Sequence, residues 1–236
     1  MSRRSRRSAG HDEIAAILGS EILSGARPPG SRMPSAAELF ERFGVSRVLL
    51  REVTKTLTAK GMIASKTRVG TQVLSSEHWN WFDADVLAWR VRLGLDVTLL
   101  EQLADMRRAV EPAAAALAAA HRLPEHLAAM RAALAAMARA GTDQQPFADA
   151  DLEFHVAVTL ASGNPLFRSF AGVVETALAA SLSLSSPTDA SVAEANVARH
   201  AAIADAIEAR DGAAAARAML LVIDESMTRV TGAQSR

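Results

Sequence analysis

The feature that most restricts the fold of this chain is a series of short helical segments, separated by glycine and proline, near its N-terminus. The segment DEIAAILGSEILSG repeats apolar residues at helical spacing and ends at Gly25. After the turn ARPPGSRM, Ser35 and Glu38 have the spacing of a capping box, so a second helix is predicted to begin there and to end at Gly44. The positions of glycine and proline therefore predict two short, separate helices.

A third helix and a hairpin complete this series. The segment VSRVLLREVTKTLTAKG begins with Ser46 as its predicted N-cap and ends at Gly61. The residues that follow, MIASKTRVGTQVL, alternate in the manner of a β-hairpin, with Gly70 in the turn. The order of helix, helix, tight turn, helix and hairpin predicts a winged helix-turn-helix domain over residues 11–76.

The third predicted helix carries a stripe of basic residues. Arg47, Arg51 and Lys55 are four residues apart and share one face, while leucine and valine supply the buried side. An arginine stripe near the start of a helix can enter the DNA major groove and donate to guanine or to phosphate. On the predicted wing, Lys66 and Arg68 are placed to meet the DNA backbone or the minor groove. A solvated helix face is the alternative, but the turn spacing and the wing favour DNA.

The distribution of charge supports a polyanionic partner for this part of the chain. The formal net charge is zero, yet residues 1–75 hold 13 Lys and Arg against 6 Asp and Glu, whereas the remainder holds 13 against 20. This division predicts two domains with different partners, the basic one facing a polyanion, although chance clustering of surface charge is the alternative. Residues 1–10, rich in arginine, are predicted to be a disordered basic tail.

The composition excludes several kinds of protein. The chain has no cysteine, which excludes disulfides, thiolate metal sites and a cysteine nucleophile. No apolar segment approaches the ~20 residues that a membrane-spanning helix needs. The basic N-terminus is not followed by an apolar segment, so it does not have the pattern of a secretory signal. We therefore expect a soluble, cytoplasmic protein.

The second half of the chain is predicted to be helical throughout. Residues 93–236 are rich in alanine with periodic large apolar residues, which predicts an all-helical domain. Residues 77–92 contain all three tryptophans and are predicted to be a linker, with aromatic side chains packed between the domains. Pro112 is expected to kink its helix. The fold class is therefore mainly α, with an N-terminal winged helix-turn-helix and a C-terminal all-α helical bundle. Helices are expected near residues 96–120, 124–140, 145–162, 164–185, 190–210 and 212–230.

One pair of residues in the helical part has the chemistry of a metal site. Asp151 and His155, in the stretch DLEFH, are four residues apart, so both side chains lie on one helical face. Both residue types bind divalent metals. On spacing alone, however, an ordinary polar pair is favoured over a bound ion.

The basic segment GSRMPSAAELFERFGVSRVLLREVTKTLTAKGMIASKTRVGTQV resembles the N-terminal domain of GntR-type bacterial transcription regulators. The elements GVSR, LRE, KGMI and GTQV carry the resemblance together, and it covers the whole predicted domain. It implies that Arg47 and Arg51 contact bases, and that Ser46 and Gly70 contact the DNA backbone or groove. Many relatives carry an arginine before the glutamate of the second helix, where this chain has Ala37, so its operator is expected to differ.

The helical part resembles the all-helical ligand domain, called FCD, of the FadR-like branch of that family. The motifs MRRAVEPAAAALAA, ADLEFHVAVTLASGNPLF and ARHAAIADAIEARDGAAAARAM carry the resemblance, which is nearest to galactonate-type, sugar-acid regulators. It implies that Asp151, His155 and His200 bind a divalent metal ion such as Zn²⁺, Ni²⁺ or Mn²⁺. Many relatives have a further histidine in the last helix, where this chain has Val222, so one ligand fewer is expected.

The same resemblance implies an effector-binding site beside the metal. Arg107 lies where the family has a carboxylate-binding arginine, and a buried guanidinium needs an anion that an acid effector would supply. A salt bridge from Arg107 to Asp105 or Glu111 is the alternative. Asn196, one turn before His200, is expected to point into the same cavity.

Together these observations predict a homodimeric, ligand-responsive repressor that binds operator DNA and responds to a sugar acid or another small carboxylate. The alternatives are a metal-dependent hydrolase, an effector-independent architectural DNA-binding protein and a regulator that binds a fatty acyl chain. A hydrolase would need a placed base or nucleophile, yet the chain has no cysteine, no tyrosine and no GxSxG or HExxH motif. The polar Asp–His–His set argues against an acyl pocket, which should be apolar. We therefore do not expect an enzyme.

Overall fold

In the computed structural model, the serines predicted to cap the second and third helices do so. The hydroxyl of Ser35 accepts a hydrogen bond from the Glu38 N–H, and the Glu38 carboxylate accepts one from the Ser35 N–H, which completes the capping box. Gly44 takes a left-handed conformation, with φ of 68°, and ends that helix. Ser46 caps the next helix by accepting from the Leu49 N–H. The helices so delimited are α1 (His11–Leu23), α2 (Ala36–Phe43) and α3 (Arg47–Ala59).

The chain divides into two compact units, Met1–Gly94 and Leu95–Arg236. The arginines of the predicted basic tail lie outside the described residues. Among the helices that are described, none is long and apolar enough to span a membrane. The structure describes residues 10–67, 69–94, 96–168, 170, 172, 175–176, 187 and 189–234.

An antiparallel hairpin follows α3 in the first unit. Strand β1 (Ile63–Lys66) pairs with β2 (Gly70–Val73), and the register places the first residue of β1 opposite the last of β2. The segment before α2 runs along the other edge of β2, where Arg32 forms an antiparallel bridge with Gln72. Three helices and a hairpin in this order form the predicted winged helix-turn-helix.

Residues 84–92, which the sequence assigned to a linker, form helix α4 (Ala84–Arg92) within the first unit. Asp83 caps α4, and Trp89 is buried against α1. The α1 helix accommodates the indole at Gly19, where a β-carbon would lie 2.2 Å from Trp89 Cε3. Trp79 packs on the edge of the same core. These two tryptophans therefore complete the core of the first unit, and packing of aromatic side chains between the domains stays a prediction.

The core of the first unit draws on all of its helices and on both strands. Burying one large apolar side chain contributes about 1.5–3 kcal/mol to folding. Because one core joins α3 to the hairpin, the exposed face of α3 is held beside the wing. The largest fully buried side chains of this unit are Ile14, Leu18, Ile22, Leu57, Met62 and Ile63.

The second unit is built of helices at the positions that the alanine-rich periodicity predicts. The prediction of a helix over residues 164–185 falls largely outside the described residues. Pro112 lies inside the first of these helices, and a kink there stays a prediction. The described helices are α5 (Val97–His121), α6 (Pro124–Ala140), α7 (Gln144–Ala161), α8 (Pro165–Arg168), α9 (Ala190–Glu208) and α10 (Gly212–Gln234).

Helix α5 is central to the packing of the second unit, because it contacts α7, α9 and α10. Small residues allow close approach, as at Gly212, where a β-carbon would lie 3.0 Å from the Ala116 carbonyl oxygen. The packing brings polar side chains from α5, α7 and α9 into one buried cluster. The largest fully buried apolar side chains are Phe154, Met130, Met137, Ile203, Ile207 and Met219.

Candidate functional site

The first unit presents a basic groove between α2, the N-terminal half of α3 and the wing. Its volume is about 830 Å³. Arg47 and Arg51 line the groove from α3 and are both exposed, and Gly70 lines it from the wing with φ of 93°. Ser46 lies at the start of α3, where its hydroxyl is occupied as the helix cap. The structure therefore brings together two arginines and the wing glycine that the sequence assigned to DNA contact.

The remaining predicted DNA contacts differ in their availability. Lys55 is exposed on α3, but its Nζ lies 2.8 Å from Glu52 Oε1, so its charge is already paired. Lys66 is exposed at the end of β1, next to the turn of the wing. Arg68 lies outside the described residues. A helix that carries exposed arginines beside a hairpin has the shape and charge needed to enter a DNA groove.

The second unit holds a cluster of possible metal ligands from two helices. Asp151 and His155 lie one turn apart on α7, and His200 reaches them from α9. One ligand atom from each residue lies within 4.8 Å of the other two. Both histidines are almost completely buried, with relative exposures of 2% for His155 and 1% for His200. The predicted ligand set is thus assembled in the interior of the protein.

The tautomer of the neutral His200 ring follows from its backbone contact. Its Nδ1 lies 2.8 Å from the Asn196 carbonyl oxygen, and because a carbonyl only accepts hydrogen bonds, Nδ1 carries the proton. In the neutral ring, Nε2 then presents its lone pair to the cluster, 2.8 Å from Asp151 Oδ1, and in the protonated ring the same contact is an ion pair. Neither atom forms a hydrogen bond with a residue that the structure describes. The contact is favourable when a cation lies between the two atoms, either a proton on Nε2 or a metal ion.

A carboxylate that the sequence interpretation did not assign to the site lies against the other histidine. Glu111 Oε2 lies 2.6 Å from His155 Nδ1, and Glu111 Oε1 accepts from Arg107 Nε at 2.5 Å. His155 Nε2 faces the cluster, 3.6 Å from Asp151 Oδ1 and 3.4 Å from a terminal nitrogen of Arg107. A carboxylate behind a ligand histidine fixes its orientation and raises its basicity. The sequence signal for Glu111 was its position four residues after Arg107 on one helix.

Both buried carboxylates of the cluster are held in the ionised form. Burial raises the pKa of Glu111, but the charge of Arg107 and the contact with His155 outweigh it and lower the pKa to about 2. Burial likewise raises the pKa of Asp151, but His200, His155 and Arg107 bring it well below its usual range. Ionised carboxylates are the form that binds metal.

The two predicted effector contacts have buried positions near this cluster. Arg107 has a relative exposure of 5% and is paired with Glu111, which is the salt bridge considered as an alternative from the sequence. Asn196 is buried on α9, and its carbonyl oxygen accepts from His200. Val222 lies buried in the apolar core and supplies no ligand.

The donor set fits a small divalent ion. One carboxylate oxygen and two imidazole nitrogens, with the Nε2 atom of each ring facing the cluster, are a common ligand combination for zinc, nickel or manganese. Four polar atoms of the cluster lack a hydrogen-bond partner among the described residues: Glu111 Oε2, Asp151 Oδ1, His155 Nδ1 and His200 Nε2. Unpartnered buried polar atoms are costly, and a bound cation would compensate for those that face the cluster.

Comparison with known families accounts for both units. Residues 11–73 match the family described as bacterial regulatory proteins, gntR family, and residues 102–225 match the FCD domain. The chain is 34% identical to the galactonate operon transcriptional repressor of Escherichia coli K12 over 219 residues, which cover 93% of this chain and 96% of that protein. It is also 34% identical over 207 residues to an uncharacterized HTH-type transcriptional regulator, YieP, of the same organism, covering 87% and 88% of the two chains.

Solved structures show the same fold. A Listeria monocytogenes structure, titled as Lar controlling expression of the agr system, matches 96% of this chain and 99% of its own, with a TM-score of 0.60 and 20% identity. Escherichia coli McbR/YncC matches 97% of this chain and all of its own length, with a TM-score of 0.54 and 15% identity. These structures show the fold, and the family matches to residues 11–73 and 102–225 confirm the resemblance to GntR-type regulators with an FCD domain.

Proposed function

This chain belongs to the gntR family of bacterial regulatory proteins and carries an FCD domain, and from this we propose that it is a repressor controlled by a small organic acid. It is a DNA-binding transcription regulator and not an enzyme. The proposal adds that it acts as a homodimer in the cytoplasm on a two-fold symmetric operator. It also adds that a sugar acid or another small carboxylate binds beside a divalent metal in the second unit.

The DNA-binding half of the proposal is supported by the basic groove. Arg47 and Arg51 occupy successive turns at the exposed N-terminal part of α3, as base-reading residues do in winged helix-turn-helix proteins. Arginine can donate two hydrogen bonds to one guanine, which is a frequent specific contact. Ser46, Lys55, Lys66, Arg68 and Gly70 are then assigned to backbone or groove contacts around them.

The observation that carries the sensor half is the buried cluster of Asp151, His155 and His200. The Asn196 carbonyl and Glu111 each lie within hydrogen-bond distance of the outward ring nitrogen of one histidine. Such contacts around ligand histidines are typical of metal sites and are not needed by an isolated polar pair. When bound, a divalent ion would supply a positive charge and open positions for the oxygens of an acid.

The chemistry of the cluster favours an acid with oxygen donors as the effector. With three protein ligands and Val222 in the apolar core, open positions would remain for a carboxylate and a hydroxyl group. Arg107 is proposed to bind the same acid with its terminal nitrogen, which lies near His155. Its Nε meanwhile donates to Glu111. A long acyl chain would have to lie against these ionised groups, which is unfavourable. The similarity to the galactonate operon repressor agrees with a sugar acid.

The test is a thermal-shift screen of sugar acids and small carboxylates with metal-loaded and metal-stripped protein. A binder at 100 times its Kd should raise the free energy of unfolding by about 2.7 kcal/mol. We expect one acid to stabilise the loaded protein and to lose this effect after stripping. Elemental analysis of the same samples should find a divalent metal.

Two substitutions on one helix provide the matched comparison. Asp151→Asn should abolish metal retention and the response to the acid. Asp149→Asn alters an exposed carboxylate two residues away that bonds to Gln145, and it should change neither. If neither metal nor acid binds the wild-type protein, the sensor half of the proposal is wrong, while the DNA-binding half is untouched. Sedimentation of the full chain, alone and with operator, tests the homodimer.

A further inference from the structure

Three arginines that the sequence motif did not assign to DNA contact line the basic groove, namely Arg27, Arg32 and Arg42. Two of them are already engaged. Arg27 Nε lies 2.5 Å from Glu21 Oε2, and Arg42 donates to the other oxygen of the same carboxylate. Burial raises the pKa of Glu21, but the hydrogen bonds from Arg42 and Arg27 bring it below its usual value. Arg42 therefore links α2 to α1, and the charges of Arg27 and Arg42 are both already paired with Glu21.

Arg32 differs because its side chain is exposed and forms no ion pair with any residue that the structure describes. Its backbone is nevertheless fixed by pairing along β2. The Met33 N–H donates to the Thr71 carbonyl at 2.9 Å, and the Val73 N–H donates to the Ser31 carbonyl at 3.0 Å. A charged side chain on a fixed backbone loses little conformational entropy on binding, apart from its own rotamers. Arg32 is thus a pre-positioned cation with no ionic partner in the part of the chain that the structure describes.

A further positive charge beside the basic groove would favour DNA binding. Ala37, on the exposed surface of α2, contributes no charge to this side of the domain. DNA carries a negative charge about every 1.7 Å along its axis, and basic side chains around a recognition helix neutralise the nearest phosphates. Arg32 stands on the segment beside the wing, whereas Arg47 and Arg51 stand on α3, which is the base-reading element. When a recognition helix enters a DNA groove, basic residues beside that helix lie nearest to the phosphates of the DNA backbone.

We propose that Arg32 binds a phosphate of the DNA backbone beside the major groove that α3 enters, and so supplies an anchoring contact that Ala37 does not. The inference rests on the DNA-binding function and goes beyond it by assigning a residue, a ligand group and a role. Arg32 then sets how tightly and in what register the domain sits on DNA, without reading sequence.

The test compares the full-length protein with its Arg32→Ala variant on two duplexes of equal length. One is enriched from a random library by the wild-type protein, and the other is a scrambled version of it. Binding is followed by fluorescence anisotropy over a range of salt concentrations. Loss of one phosphate contact should reduce the slope of log K against log salt by about 0.9 per bound domain. At 0.1 M salt this corresponds to about an eightfold loss per domain, equal on both duplexes.

Two further variants complete the test. Arg32→Lys should restore most of the slope, because a point charge is enough for one phosphate. Arg92→Ala removes an exposed arginine of α4 that does not line the groove, and it should leave affinity within about twofold, as expected for a charge that meets no phosphate. Unchanged tryptophan fluorescence would show that the first unit stays folded, because all three tryptophans lie in it.

An unchanged salt slope in Arg32→Ala would overturn the proposal, and so would a loss confined to the enriched duplex, which would indicate base reading instead. Failure of the wild-type protein to enrich any sequence would contradict operator binding itself. That result is distinguishable from a failure of the assignment to Arg32.

Discussion

The salt bridge between Arg107 and Glu111 offers a sharp test of how the second unit holds its polar cluster. Both side chains are almost fully buried, with relative exposures of 5% and 3%, and the two atoms lie 2.5 Å apart. Glu111→Gln keeps the shape of the side chain but removes the charge. Arg107 would then be left as a buried, unpaired cation, which costs about 3–5 kcal/mol.

The assay can separate the two units. The chain has no tyrosine, and its three tryptophans lie in the first unit, so tryptophan fluorescence reports only that unit. Far-UV circular dichroism reports mainly the larger helical unit. We expect Glu111→Gln to lower the urea midpoint of the circular dichroism transition and to leave the fluorescence transition unchanged. Metal affinity should also fall by about 10–100-fold, because His155 loses its carboxylate.

Two controls determine whether the reasoning holds. Arg107→Met combined with Glu111→Gln should recover most of the lost stability, because no unpaired charge remains. Arg131→Met breaks exposed ion pairs to Asp205 and Glu208, and should cost less than about 1 kcal/mol. If Glu111→Gln stays within about 1 kcal/mol of the wild type, Arg107 has another partner, and the assignment of its charge to Glu111 is wrong.

Other predictions concern the first unit. Gly19→Ala should destabilise it by about 1–3 kcal/mol, because the new methyl group would overlap the Trp89 ring, and tryptophan fluorescence in urea measures the loss. Because the folded-state pKa of Glu21 lies below its usual 4.5, its contribution to stability is complete above pH 4.5 and is lost as the pH falls below it. In Glu21→Gln the acid-induced loss of first-unit stability should be smaller, and equal curves for both proteins would contradict this. Arg51→Ala should lower affinity for the enriched duplex more than for a scrambled one, while Lys55→Ala should have a smaller effect on both, because Glu52 already pairs with Lys55.

The local features of this protein could be predicted from the sequence because they depend on residues close together in the chain. The capping box at Ser35, the helix end at Gly44 and the hairpin require only short-range hydrogen bonds and backbone preferences. The spacing of Asp151 and His155 places both on one face of α7 for the same reason. The family resemblance added His200, whose role no local pattern indicates.

Contacts between distant segments were decided by the tertiary structure. Glu111 stands behind His155 only because α5 packs against α7, and Arg32 reaches the basic groove only because its segment pairs with β2. Trp89 belongs to the first unit because Gly19 leaves space for an indole ring on α1. Whether a charged side chain is free or paired is likewise a question of packing, since it depends on which helices meet. The sequence by itself thus determined the elements and the ligand types, and the packing determined which side chains meet in each site.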